Sequence, residues 1–219
     1  MAVRGDRIAM SLERCRQTAS LALGSMKIPQ TVWTVGHSNH DLERFLALVR
    51  GHEVGHLIDV RSHPYSRYAP HFNRDELQAS IEECGIRYTF LGSALGGRPR
   101  REDQFDADGH ALYDRMATEP AFSEAIDAIL RGASERRIAL LCSCGTPHEC
   151  HRRLLVGKVL CDRGAELRHI LPDGDVLSER SVQLRDDHAQ DMLFGHDELP
   201  WRSIRSVSPR RRLSASSLG

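Results

Sequence analysis

Strand-like and helix-like runs alternate along most of this chain, and that alternation restricts its fold more than any other feature. TVWTVG at 31–36 is a β-branched and aromatic run closed by glycine; residues 41–50 follow with Leu42, Phe45, Leu46 and Val49 at helical spacing. HLIDVR at 56–61 repeats the strand signal. Asn73, with Glu76 three residues on, then predicts a capped helix ending at Gly85. IRYTFL at 86–91 is a third strand, and helical stretches follow around 111–116 and 120–130. RIALL at 137–141 is a fourth strand, Leu154, Leu155, Val159 and Leu160 mark a helix closed by Gly164, and residues 167–171 supply a fifth strand. The expected fold is α/β, a single domain with a mostly parallel sheet of about five strands and helices on both faces.

With 219 residues and 40% hydrophobic content, the chain has material for one core. No run approaches the roughly 20 apolar residues of a membrane span, and Glu13, Arg14 and Arg16 stand where a signal peptide would be apolar. The expectation is a cytoplasmic protein with no membrane partner. Residues 1–30 lack a period, and Met26 offers an alternative start, so they read as a mobile N-terminal extension; residues 31–195 form the domain. Residues 196–219 read as a disordered basic tail, because 202–219 hold five arginines and six serines with little to bury. Thirty basic against thirty acidic residues argue against a protein that holds nucleic acid mainly by counterion release, and leave room for a local basic face.

In an open parallel sheet, ligands bind beyond the carboxyl ends of the strands, and here those ends are polar. The first delivers Gly36, His37, Ser38 and Asn39. The second ends in Asp59 and Arg61, followed by His63, Tyr65 and Arg67, and the third leads to Gly96, Gly97 and Arg98. Each group alone has a structural reading: Ser38 or Asn39 as a helix cap, Asp59 paired with Arg61 or Arg67, Gly96-Gly97 as a turn. Four polar sets on one rim, counting the cysteines after the fourth strand, point instead to a site.

Of six cysteines, Cys142, Cys144 and Cys150 crowd into nine residues, which is the spacing of a site rather than of a disulfide framework. Thr146 with Glu149 makes a capping box and Pro147 suits a first helical position, so a helix is expected from about Thr146. Its amino terminus would favour a thiolate and, with Arg152 one turn in, a bound anion. Three readings compete. Cys142 or Cys144 is a nucleophile, with His37, His63 or His151 carrying the proton and Arg152 or Arg61 clamping an anion. Alternatively Cys142, Cys144, Cys150 and His151 hold zinc or iron, although C-x-C-x5-C-H lacks the paired C-x2-C spacings of structural zinc sites. In the third, the cysteines are small buried residues.

The blocks GHS, DVRS, GIRY, LGG and Cys150-His151-Arg152, in this order between Thr31 and about Phe194, resemble the bacterial family called domain of unknown function 488. That family commonly carries an acidic residue where this chain has Cys144. The resemblance therefore implies Cys142 with Cys150 as the working pair; it implies a fold and a set of positions rather than a reaction. IDVRS at 58–62, followed much later by a strand, a cysteine loop, a helix and a glycine, also resembles the order of elements in rhodanese-like domains, whose loop cysteine carries sulfane sulfur. Gln190-Asp191-Met192-Leu193-Phe194 resembles the Q-x-x-L-F peptide that binds the bacterial sliding clamp, with Leu193 and Phe194 as anchors ahead of a basic tail suited to nucleic acid. The structural alternative is that these apolar residues cover the core.

The expected function is thiol-dependent transfer on an anionic substrate, a small molecule or a nucleotide. Cys142, Cys150, His151, Arg152, His37, Asp59, Arg61 and His63 are the catalytic candidates, and Ser38, Tyr65, Arg67, Gly96, Gly97, Arg98 and Thr146 the substrate-binding ones. A zinc- or iron-binding protein or a DNA-associated accessory protein is the alternative.

Overall fold

Six strands form one sheet in a computed structural model that describes residues 29–193 and 201–208. The strands are β1 (Thr31–Gly36), β2 (His56–Asp59), β3 (Arg87–Phe90), β4 (Ile138–Cys142), β5 (Glu166–Ile170) and β6 (Val176–Ser178), in the order β3-β2-β4-β1-β5-β6. The first five run parallel and β6 pairs antiparallel to β5. The α/β class and the parallel sheet agree with the sequence. The count is six rather than about five, because the chain turns back through Gly174 in the left-handed region (φ 102°) and adds a three-residue edge.

Both faces are covered by helices. Residues within β1 and β4 alternate between two cores: Val32, Ile138 and Leu140 enter one, Trp33, Val35, Ala139 and Leu141 the other. The second core is closed by α1 (Leu42–Gly51) and α2 (Arg74–Glu83), through Phe45, Leu48, Leu77 and Ile81. The first is closed by α3 (Gly92–Leu95), α4 (Tyr113–Ala117), α5 (Pro120–Ala133), and a π-helical turn at Arg152–Gly157 that runs into α6 (Lys158–Asp162). The crossovers from β1 and from β4 thus leave on opposite faces. Adjacent strand ends are level there, Gly36 beside Cys142. A seventh helix, α7 (Glu179–Leu193), follows β6.

Two capping expectations are corrected. The residue that caps α1 is Asp41, whose Oδ1 accepts from the Arg44 amide at 2.7 Å, not Ser38 or Asn39. Asn73 precedes α2, yet its side chain turns outward and accepts from the Ser66 amide at 2.7 Å. The expectation of a disordered tail is corrected for its described part. Residues 201–208 lie against the domain because Trp201 donates to the Leu154 carbonyl at 2.7 Å. Ser203 also exchanges two hydrogen bonds with Ala111, and Val207 and Ser208 donate to the Gly109 carbonyl. The extension at 1–28, the end of the tail at 209–219 and Phe194 of the clamp-like peptide lie outside the described residues. No helix among the described residues is long and apolar enough to cross a membrane.

Candidate active site

β4 carries the cysteine loop out of the sheet between β1 and β2, so the loop must pass over the ends of both neighbours. Over β1 it passes very closely: a Cβ on Gly36 would lie 1.7 Å from the Cys144 carbonyl oxygen, which only glycine tolerates. Arg152 ties down the same stretch. Fully buried, it donates to the carbonyls of Cys144 (2.5 Å) and Gly145 (3.1 Å) and to Thr34 Oγ1 (3.3 Å). The expected helix start at Thr146 is therefore corrected. Residues 146–149 form a turn closed by the Cys150 amide on the Pro147 carbonyl (3.1 Å), and the helix begins at His151. Arg152 is a brace inside the protein rather than a residue facing the cleft. Behind it runs a polar chain: Thr34 contacts His169 Nδ1 at 2.9 Å, and His169 Nε2 contacts Glu179 at 2.8 Å. Gly157 lets the π-helical turn approach β5, since a Cβ there would lie 2.7 Å from Leu167.

Cys142 and His151 face each other at the head of this loop, with Sγ 3.6 Å from Nδ1. His151 Nε2 lies 2.9 Å from the Val60 carbonyl, which can only accept; Nε2 therefore carries a proton and Nδ1 is turned to the thiol. The neighbouring Cys144 and Cys150 thiols, reinforced by His151, hold Cys142 well below the ordinary thiol range despite its burial. Cys150 is pushed well above that range, by Cys142 first and then by Cys144 and burial. Burial opposes the His151 charge, and the Cys142 sulfur outweighs it, so the imidazole is raised. The donor atoms of Cys142, Cys150 and His151 all lie within 4.8 Å of one another. Cys144 is exposed and outside that set, so the four-residue metal reading contracts to three.

A cleft of about 470 Å³ opens over these groups. Of the residues expected from sequence, Cys142, Cys144, Cys150, His151, Arg61, His63, Gly97, Arg98 and Thr146 line it. Arg61 is buried and held by Asp59 through both carboxylate oxygens (2.6–3.1 Å), with Nη1 on the Phe72 carbonyl at 2.8 Å. Burial works against its charge and Asp59 more than offsets that, which keeps the guanidinium above its ordinary range. Asp59 also accepts from Tyr88 (2.7 Å), so its carboxylate serves Arg61 and does not reach the cleft. His37 stacks on Phe72 at 4.3 Å and is pushed down to about 4 by burial and by Arg61.

Ser38 takes a positive φ of 51° and donates its amide to the Ser143 carbonyl. Gly96 packs against Ser62, and Gly97 against the His151 ring. Tyr65 is 62% exposed, and Arg67 contacts Tyr68 at 2.8 Å, both away from the cleft. His37, Asp59, Arg152, Ser38, Tyr65, Arg67 and Gly96 thus stand behind or beside the cleft.

Sequence reasoning missed Tyr113, whose buried phenol lies by the cysteines and is raised by burial and by the Cys150 charge. It also missed a second stretch of wall, where Ser203, Ile204, Arg205 and Val207 line the cleft and Arg205 pairs with Glu149 at 2.6 Å. A tryptophan at 201 inside a serine- and arginine-rich stretch was the available signal.

The family model for domain of unknown function DUF488 matches residues 41–159, a narrower span than the resemblance suggested but one that holds the whole cysteine loop. No curated protein and no solved structure matches the chain. Because that match covers more than half of the sequence, with the Cys142–His151 pair inside it, the chain belongs to the DUF488 family.

Proposed function

We propose that this protein is a thiol-dependent transferase whose nucleophile is Cys142 and whose substrate carries an anionic group. The observation that carries this reading is the 3.6 Å approach of Cys142 Sγ to His151 Nδ1, with the other ring nitrogen committed to Val60. The imidazole takes the thiol proton at Nδ1, the thiolate attacks an electrophilic atom of the substrate, and the same Nδ1–H returns the proton to the leaving group. Arg98 on the cleft wall offers a cation to the anionic part and has no side-chain partner among the described residues, whereas the Arg61 charge is taken up by Asp59. The rhodanese-like order of elements makes sulfane sulfur one candidate for the transferred group.

Reaction with two small probes tests this. Iodoacetamide should alkylate Cys142 fastest of all the thiols at neutral pH. Iodoacetate, its anionic counterpart, should gain on iodoacetamide relative to its behaviour with free cysteine, and Arg98→Ala should remove that gain. A Cys142 that alkylates only at the pH of an ordinary thiol, about 8.5, would refute the reading.

A second reading has one observation in its favour. Two thiols and an imidazole with donor atoms within 4.8 Å of one another, and with Val60 holding the ring, also resemble three ligands of a catalytic zinc site with an open position. Stoichiometric zinc or iron in protein purified without chelator, with Cys142 and Cys150 protected until chelator is added, would select it.

A further inference from the structure

Cys150 has no place in the single-nucleophile scheme, yet it lines the same cleft and its Sγ lies within 4.8 Å of Cys142 Sγ. A disulfide needs the sulfurs at about 2.05 Å, a closing distance that a side-chain rotation with a small loop shift can span. Arg152 braces the loop at Cys144 and Gly145, so closure falls to the Cys142 and Cys150 side chains and to the turn at 146–149. Arg152 Nη1 lies 3.8 Å from Cys150 Sγ and places a positive charge beside that sulfur. His151, with Nδ1 3.6 Å from Cys142 Sγ, is placed to supply a proton to a group that leaves the cleft. An attacking sulfur, a second sulfur in reach and a proton donor are the parts of a two-cysteine reduction.

We infer that Cys142 and Cys150 form a redox pair that reduces a hydroperoxide, with Cys142 attacking and Cys150 resolving. This rests on the nucleophile reading of Cys142. The Cys142 thiolate attacks the terminal oxygen of R–O–OH: the S–O bond forms, the O–O bond breaks, and the departing alkoxide takes the Nδ1 proton of His151 to leave as R–OH. Sulfur is oxidised to the sulfenic acid as the peroxide is reduced. Cys150 then attacks Cys142 Sγ: the S–S bond forms, the S–OH bond breaks, and hydroxide leaves with the Cys150 proton as water. An external dithiol restores both thiols by two exchanges. The sum is one hydroperoxide and two thiols giving one alcohol, one water and one disulfide.

The test uses the full chain and cumene hydroperoxide. Trypsin releases residues 138–152 as one peptide holding Cys142, Cys144 and Cys150. After one equivalent of peroxide, free thiols are capped with iodoacetamide, the protein is reduced, and the newly freed thiols are capped with N-ethylmaleimide. The expected map has iodoacetamide on Cys144 and N-ethylmaleimide on Cys142 and Cys150. In Cys150→Ser and in Cys150→Ala the sulfenic acid on Cys142 should persist and be trapped by dimedone, at least tenfold more than in the unaltered protein. N-ethylmaleimide on Cys142 and Cys144, or equal dimedone trapping with and without Cys150, would overturn the pair while leaving the nucleophile intact. Failure of Cys142 to react with either iodoacetamide or peroxide would overturn both readings together.

Discussion

The ring of His151 is held from behind by Val60, whose carbonyl oxygen lies 2.9 Å from Nε2. A main-chain acceptor cannot change its protonation, so the tautomer presented to Cys142 is fixed by the fold rather than by pH. The downward shift of the thiol and the upward shift of the imidazole favour a thiolate facing an imidazolium, with one proton shared between them. Alkylation of Cys142 should therefore begin well below the ordinary thiol range. His151→Ala should move the midpoint of alkylation to higher pH, and once that midpoint lies above neutrality each further rise of one pH unit should slow the reaction at neutral pH about tenfold. A pH profile of iodoacetamide incorporation, read by mass spectrometry, checks this.

Gly97 marks how little freedom that ring has. A Cβ there would lie 2.5 Å from His151 Cγ and 2.9 Å from Nδ1. Gly97→Ala should leave the two cores intact but displace the imidazole, lowering the Cys142 alkylation rate at neutral pH by about tenfold, while the urea midpoint shifts only slightly.

Arg152 should behave as a structural residue with a functional consequence. Replacement by Met leaves the carbonyls of Cys144 and Gly145 and the Thr34 hydroxyl without their buried donor, a loss of about 3 kcal/mol in unfolding free energy. Arg152→Lys should not restore it, because an ammonium cannot reproduce the planar fork that serves three acceptors. Urea unfolding of both variants measures the cost.

Acid should weaken the fold through buried histidines. His37 is lowered to about 4 by burial and Arg61, and His56 to about 4 by burial and Arg87; His169 is lowered chiefly by burial. Unfolded, each has the ordinary value of 6.5. As pH falls from 6.5 toward 4, the unfolded chain binds protons that the folded chain refuses, so stability declines across that window and levels off at its lower end. His151, shifted upward, is charged in both states there and does not oppose the decline. Urea midpoints taken from about pH 6.5 to about pH 4.5 should fall, and His37→Gln should flatten part of the slope.

The five parallel strands were legible because each is a short apolar run between polar turns, a pattern that burial on both faces requires. β6 was not, since three residues after a turn carry too little periodicity to register. Thr146, Pro147 and Glu149 satisfied the local rule for a helix start, yet Arg152 holds the carbonyls just upstream and Arg205 takes the Glu149 carboxylate. Long-range contacts there override the local preference. The residues at the strand ends were legible as a set. Which of them face the cleft was not: Asp59, Arg152 and His37 differ from Arg61, Cys142 and His151 only in where their side chains turn. The wall at 201–208 was hidden by its composition, which resembles a solvated tail until Trp201 is seen donating to Leu154.

The cleft has two walls of different kinds. One belongs to the family's matched span; the other lies beyond it, anchored by Trp201 and Ser203. The chamber is therefore complete only with residues 201–208 docked on Leu154 and Ala111. Sequence change in that segment can reshape the chamber without altering the cysteine loop of the matched span.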